Sequence, residues 1–142
     1  MKTKLFLTLL TATAFSFSSC KKTTVADETV TYRVTLSNPD RTASITYYNE
    51  TGGQDIAIVN TPSFTQSFTI KSNATKKTFA LTLSCYSKYV TGSSTSFQPQ
   101  TVTVDILEDD KVMKTITRSG SSSIYIYSSE ISASLPTATK YK

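Results

Sequence analysis

Val30-Thr31-Tyr32-Arg33-Val34-Thr35-Leu36 is the stretch that decides the fold. Val30, Tyr32, Val34 and Leu36 fall on one side of an extended chain, and Thr31, Arg33 and Thr35 on the other. That period of two belongs to a half-buried β-strand. β-Branched and aromatic side chains suit such a pleated surface better than a helix. The alternation recurs downstream, where seven further inward faces are expected: Ala43/Ile45/Tyr47, Ile56/Ile58, Phe64/Phe68/Ile70, Phe79/Leu81/Leu83/Cys85, Val102/Val104/Ile106, Val112/Lys114/Ile116 and Ile124/Ile126. No window follows a 3.6-residue period, so no long helix is expected.

Turn chemistry separates these runs. Asn38-Pro39-Asp40 fits a type I turn, and Thr51-Gly52-Gly53 supplies the positive φ of a tight hairpin. Pro62-Ser63 and Ser72-Asn73 mark corners, Asp109-Asp110-Lys111 a short hairpin, and Ser119-Gly120-Ser121 the last turn. The longest break, Thr91 to Gln100, reads as a solvated loop or a binding loop. Short strands joined this way predict an all-β fold, an antiparallel two-sheet β-sandwich of the immunoglobulin/transthyretin-like kind with about seven or eight strands. Their inward side chains, each contributing roughly 1.5–3 kcal/mol when buried, are enough to offset chain entropy without disulfide staples. The sandwich is expected over residues 29–130. Residues 131–142 read either as a further edge strand around Ile131–Leu135 or as a flexible tail.

The N-terminus is of a different kind. Lys2 and Lys4 precede an apolar run from Leu5 to Leu10, and Ser18-Ser19 leads into Cys20. The stretch is too short and too rich in Ser and Thr to span a bilayer core of roughly 30 Å. It reads as a bacterial lipoprotein signal, residues 1–19, cut before Cys20, which then carries lipid; Phe17 stands where Leu is usual. Ala12-Thr13-Ala14 offers the alternative of an ordinary cleavage site. Residues 20–28 form the lipidated cysteine and its polar tether, so the expected first partner is membrane lipid. Lys21-Lys22 next to the anchor, with no acidic residue before Asp27, favours the periplasmic face of an outer membrane over the cell surface. Taking residues 1–19 from the 142-residue chain leaves 123, one domain's worth, and loss of Lys2 and Lys4 lowers the formal net charge from +5 to +3. That charge is spread out with no arginine cluster, which argues against nucleic acid.

Catalytic raw material is thin. The chain has no histidine, which removes His-based triads, His-containing zinc sites and the commonest general base near neutral pH. No catalytic residue, cofactor or metal is therefore expected. Asp105, Glu108, Asp109 and Asp110 form the densest acidic cluster, read as a charged turn before a calcium site. Cys85 continues the Phe79–Leu81–Leu83 face and reads as a small buried hydrophobe without a disulfide partner. Asn49-Glu50-Thr51 and Asn73-Ala74-Thr75 match the glycosylation pattern without carrying a function here. Tyrosine is the one enriched residue with binding potential. Tyr32 and Tyr47 belong to inward faces, whereas Tyr48, Tyr86, Tyr125 and Tyr127 point outward and are the candidate ligand-binding residues, though cross-strand tyrosines also stabilise an exposed sheet.

Thr31-Tyr32-Arg33-Val34-Thr35, Ala43-Ser44-Ile45-Thr46-Tyr47, Pro62-Ser63-Phe64 and Val102-Thr103-Val104-Asp105-Ile106 followed by Lys111-Val112 together resemble the MmpS-like β-sandwich domains. The resemblance covers roughly residues 29–128. Pro62-Ser63-Phe64 stands where that family has Pro-Trp, Cys85 is what remains of its disulfide pair, and the anchor is lipid. What the resemblance implies is a non-catalytic accessory of an envelope transporter that exports lipids or small molecules. Two other classes of function fit the residues: a surface lipoprotein that binds glycan or peptide, and a structural, fimbrial-type subunit that adds strands edge to edge.

Overall fold

The computed structural model describes residues 26–38, 41–71, 78–86 and 99–135. The signal segment, Cys20, the tip of the Asn38-Pro39-Asp40 turn, the Ser72-Asn73 corner, Tyr89, most of the Thr91–Gln100 break and residues 136–142 lie outside the described residues. Nine strands follow one another: β1 (Glu28–Leu36), β2 (Thr42–Tyr48), β3 (Gln54–Val59), β4 (Ser63–Ile70), β5 (Thr78–Tyr86), β6 (Gln100–Glu108), β7 (Lys111–Gly120), β8 (Ile124–Ile126) and β9 (Ser132–Ser134). Among the described residues there is no helix.

Alternation builds both sheets. β4-β1-β6-β7 form one, and β3-β2-β5-β8 the other, with β9 also paired to β5. Every pairing is antiparallel. Val30, Tyr32, Val34 and Leu36 all face the space between the sheets and are essentially inaccessible. They meet Ala43, Ile45 and Tyr47 of β2, Leu81, Leu83 and Cys85 of β5, and Val102, Val104 and Ile106 of β6 in one core. Tyr32, Tyr47, Phe64 and Phe68 form an aromatic cluster there, with ring centroids 5.5 to 6.2 Å apart. The fold is the expected antiparallel β-sandwich.

Turns settle the strand order locally. Gly52 takes φ 82° between β2 and β3, the conformation that favours glycine. Asp109 and Asp110, at φ 45° and 65°, turn β6 into β7. Gln100 is fully buried at the start of β6, where its Oε1 accepts from the Asn38 N–H at 2.9 Å and its Nε2 donates to the Thr101 carbonyl at 2.9 Å. Arg41, also buried, donates to the carbonyls of Ser122 and Ser121 at 2.9 and 3.1 Å and so ties the entry of β2 to the entry of β8.

Two expected inward faces are corrected. Ile56 and Ile58 are 71% and 65% exposed, because the hairpin register sets Ala57 against Ile45 and Val59 against Ala43. Ala57 and Val59 therefore take the core side of β3 and the isoleucines take the solvent side. In β7 the expected Ile116 packs against the core, but Val112 and Lys114 are exposed and Met113 packs inward instead. A bulge causes this: Ile106 faces Lys114 but Leu107 faces Val112, so Met113 is one residue too many and the phase of the strand flips. At the C-terminal end the edge-strand alternative is observed. β9 pairs with Thr78–Ala80, and Ile131 and Leu135 on either side of it are buried in the core.

Candidate functional site

The outward side chains of the five-stranded sheet make up its solvent face. By register they form rows: Ile58–Ser44–Ser84–Tyr125 across β3, β2, β5 and β8, and Ile56–Thr46–Thr82 beside them. Gln54–Tyr48 closes one end and Thr42–Tyr86 the other. Among the described residues, no charged side chain points outward from these strands. The face is a plane of serine and threonine hydroxyls with isoleucines on one flank and tyrosines on the other.

The four outward tyrosines do not form one cluster. Tyr86 and Tyr125 meet ring to ring, 6.1 Å between centroids and 87° between planes, the edge-to-face arrangement that aromatic pairs prefer. Tyr127 follows two residues after Tyr125 on the same side. All three stay accessible, at 47%, 42% and 58% exposure. Tyr48 is six residues from Thr42 on β2, so about 20 Å of strand separates it from the Tyr86 end. The structure therefore brings Tyr86 and Tyr125 together, keeps Tyr127 exposed two residues further on, and places Tyr48, half-buried, at the far end of the sheet. Alternation gives the outward side of β2, β5 and β8, but the position along the sheet depends on register.

Ile56 and Ile58 belong to this face and not to the core that their alternation predicts. The available signal was parity. With Asn49 opposite Gly53 across the turn, every second residue after Gly53 shares the side of Tyr47, which selects Asp55, Ala57 and Val59. Two large apolar residues in one strand outweighed that count.

On this face Thr78 and Ser134 pair hydroxyls across β5 and β9 at 3.1 Å; the other sheet's solvent face has more such pairs and also carries charge. Its hydroxyls pair with one another across strands, as in Thr31–Ser67 at 2.8 Å, Thr101–Ser119 at 2.8 Å and Thr103–Thr117 at 3.1 Å. Its centre is an ion pair. Arg33 reaches Asp105 at 2.7 Å, and the second Asp105 oxygen accepts from the Thr115 hydroxyl at 2.7 Å. The acidic turn is occupied in the same manner, with Asp109 Oδ1 accepting from the Thr29 N–H at 2.8 Å. Asp105 and Asp109 thus serve β1, β6 and β7.

Cys85 is buried in the core, and that burial pushes its thiol up from its ordinary range while nearby Arg41 opposes the shift. Burial likewise pushes up the phenols of Tyr32 and Tyr47. These groups are held neutral inside the core and are not presented to a substrate.

No protein family, curated protein or solved structure matches this chain.

Proposed function

We propose that the chain is a lipid-anchored, non-catalytic binding module of the cell envelope, an accessory that presents the uncharged face of its five-stranded sheet to a larger envelope protein such as a transporter. The observation that carries this reading is the contrast between the two solvent faces. One carries charges and satisfies them across strands; the other keeps Ile56, Ile58, Tyr86, Tyr125 and Tyr127 accessible on a plane without charge. Protein interfaces favour aromatic residues and exclude charge at their centres. The lack of histidine and the segment Met1–Cys20 support the non-catalytic and anchored parts.

Two experiments test it. Cys20→Ser in the full-length chain is expected to shift the protein from the membrane to the soluble fraction of cells. A photo-crosslinking amino acid at Tyr125 or Thr46 is expected to capture an integral envelope transporter, and the same probe at Thr103, on the opposite face, is not. Equal capture from both faces, or from neither, overturns the accessory reading. Polysaccharide recovered at Tyr125 alone moves the function to glycan binding through Tyr86, Tyr125 and Tyr127.

A further inference from the structure

The open edges of the two sheets are unlike. β7 carries Lys111, Lys114 and Arg118 and is bulged at Ile106/Leu107, the means by which proteins stop an edge from pairing further. β4 turns Phe64 and Phe68 inward and shows serine and threonine outward. β3 has no bulge and, unlike β4, exposes large apolar side chains on its solvent side. Its sequence Gln54-Asp55-Ile56-Ala57-Ile58-Val59 has one charge, at one end, and two largely exposed isoleucines. Among the described residues, no strand pairs with its outer side.

The hairpin shows which backbone groups are open. The Asn49 N–H donates to the Gly53 carbonyl at 3.0 Å, so Asn49 and Gly53 form a hydrogen-bonded pair. Antiparallel ladders alternate hydrogen-bonded with non-hydrogen-bonded pairs. Asp55, Ala57 and Val59 therefore direct their amides and carbonyls towards β2, and Gln54, Ile56, Ile58 and Asn60 direct theirs outward. The two exposed isoleucines are thus also the residues with open backbone groups.

We infer that β3 pairs with β3 of a second copy of this chain, antiparallel and about a two-fold axis through Ala57. Self-complementarity selects this occupant and this register. With Ala57 facing Ala57 of the other copy, each Ile56 faces the other copy's Ile58 in a hydrogen-bonded pair, and Gln54 faces Asn60. Four isoleucines then cover one another on the solvent face. The charges agree: each Asp55 faces a valine, and the two aspartates lie about 13 Å apart along the strands, beyond the Debye length of about 8 Å in physiological salt. A register centred on Ile56 halves that separation, and one centred on Asp55 sets the aspartates face to face. An interface of one strand per copy buries less than the roughly 1,200 Å² of a stable complex. The dimer is accordingly weak in dilute solution and populated where copies are concentrated, as on a membrane. It joins two five-stranded sheets into one continuous surface, with a Tyr86–Tyr125 pair at either end. The inference rests on β3 alone and holds whether or not that surface binds a transporter.

Cysteine pairing in the full-length chain, expressed in cells and briefly oxidised, tests it. The double variant I56C/I58C is expected to give a disulfide-linked dimer, because residue 56 of one copy faces residue 58 of the other. I56C or I58C alone is expected to give at least about fivefold less, since like residues are offset by two positions. The unsubstituted chain sets the background from Cys20 and Cys85. A double variant that links no better than this background overturns the proposal, as does a single variant that links as well as the double. A second readout uses no cysteine: I56K/I58K is expected to abolish concentration-dependent dimerisation in sedimentation of the detergent-solubilised chain over about a hundredfold range, with its circular dichroism unchanged. Dimerisation that survives these lysines, or that is lost on removal of residues 136–142 with β3 intact, also overturns it.

Discussion

Asp105 points to the solvent side of β6 and is nevertheless only 6% exposed, because Arg33 and Thr115 close over it from the strands on either side. One carboxylate therefore joins β1, β6 and β7 through charge-assisted hydrogen bonds, which are stronger than neutral ones. Asp105→Ala is expected to lower stability by about 1–3 kcal/mol, and Thr115→Val by less than about 1 kcal/mol, since the valine variant keeps the ion pair. Urea midpoints of the two variants check this, and equal losses would show that the hydroxyl carries the contact. This arrangement was legible only in part. Alternation placed Arg33 and Asp105 outward, but their meeting depends on β1 lying beside β6, some 70 residues later in the chain. Arg41 and Gln100 were not legible at all. Each reads as an ordinary polar residue near a turn, and each is buried because a neighbouring loop folds over it and supplies carbonyls or an amide.

Elements were predicted best where the strand is paired on both sides. β1, β2, β5 and β6 keep their expected inward faces because a slip of one residue in any of them would turn a whole apolar row to water. Edge strands lack that constraint, and both corrected faces lie on edges, in β3 and β7. Ile58→Thr is accordingly expected to change stability by less than about 0.5 kcal/mol in the monomer, the range of surface substitutions. Val59→Ala, next to it but in the core, is expected to cost about 1–3 kcal/mol. Thermal unfolding at low protein concentration compares the two, and a larger loss at Ile58 would restore that residue to the core. The β6–β7 turn makes a finer prediction. Asp109 and Asp110 both have positive φ, which glycine adopts without strain and a side chain does not. Only Asp109 offsets that strain, by accepting from the Thr29 N–H, while its own N–H donates to the Thr29 carbonyl at 2.9 Å. Asp110→Gly is expected to stabilise the hairpin by about 0.5–1 kcal/mol, and Asp109→Gly to be neutral or destabilising because the contact to β1 is lost. Opposite signs in chemical denaturation would verify the assignment; the same gain at both positions would exclude a role for the Asp109 side chain.

At the scale of the whole molecule, the core holds three weak acids in their neutral forms. Burial is the leading cause of the upward shift at Tyr32, Tyr47 and Cys85, reinforced at Tyr47 by Asp55 and Glu50 and opposed at Cys85 by Arg41. Backbone groups of Ala80 and Tyr48 approach the Tyr32 hydroxyl and partly oppose its shift, but among the described residues none closes a full hydrogen bond on it. All three shifts have the same sign. The unfolded chain releases these protons at ordinary values, near 8.5 for a thiol and 10 for a phenol, whereas the folded chain retains them to higher pH. Raising the pH above those values therefore favours unfolding, and the stability the groups contribute is complete below about pH 8 and lost progressively above it. The unfolding free energy is expected to be level in this respect between pH 6 and 8, to decline as the thiol value is passed and to fall more steeply above about pH 10. Cys85→Ala and Tyr32→Phe separate the contributions. The alanine variant loses the first part of the decline and the phenylalanine variant flattens the second. Because the phenol makes at most long contacts to backbone among the described residues, Tyr32→Phe is expected to stay within about 1 kcal/mol of the parent at pH 7. Urea unfolding at a series of pH values reads all three chains. A Tyr32→Phe variant that follows the parent's alkaline decline would show that this tyrosine ionises while the sandwich is still folded, and that water reaches a core that the packing of β1 against β2 and β5 otherwise closes.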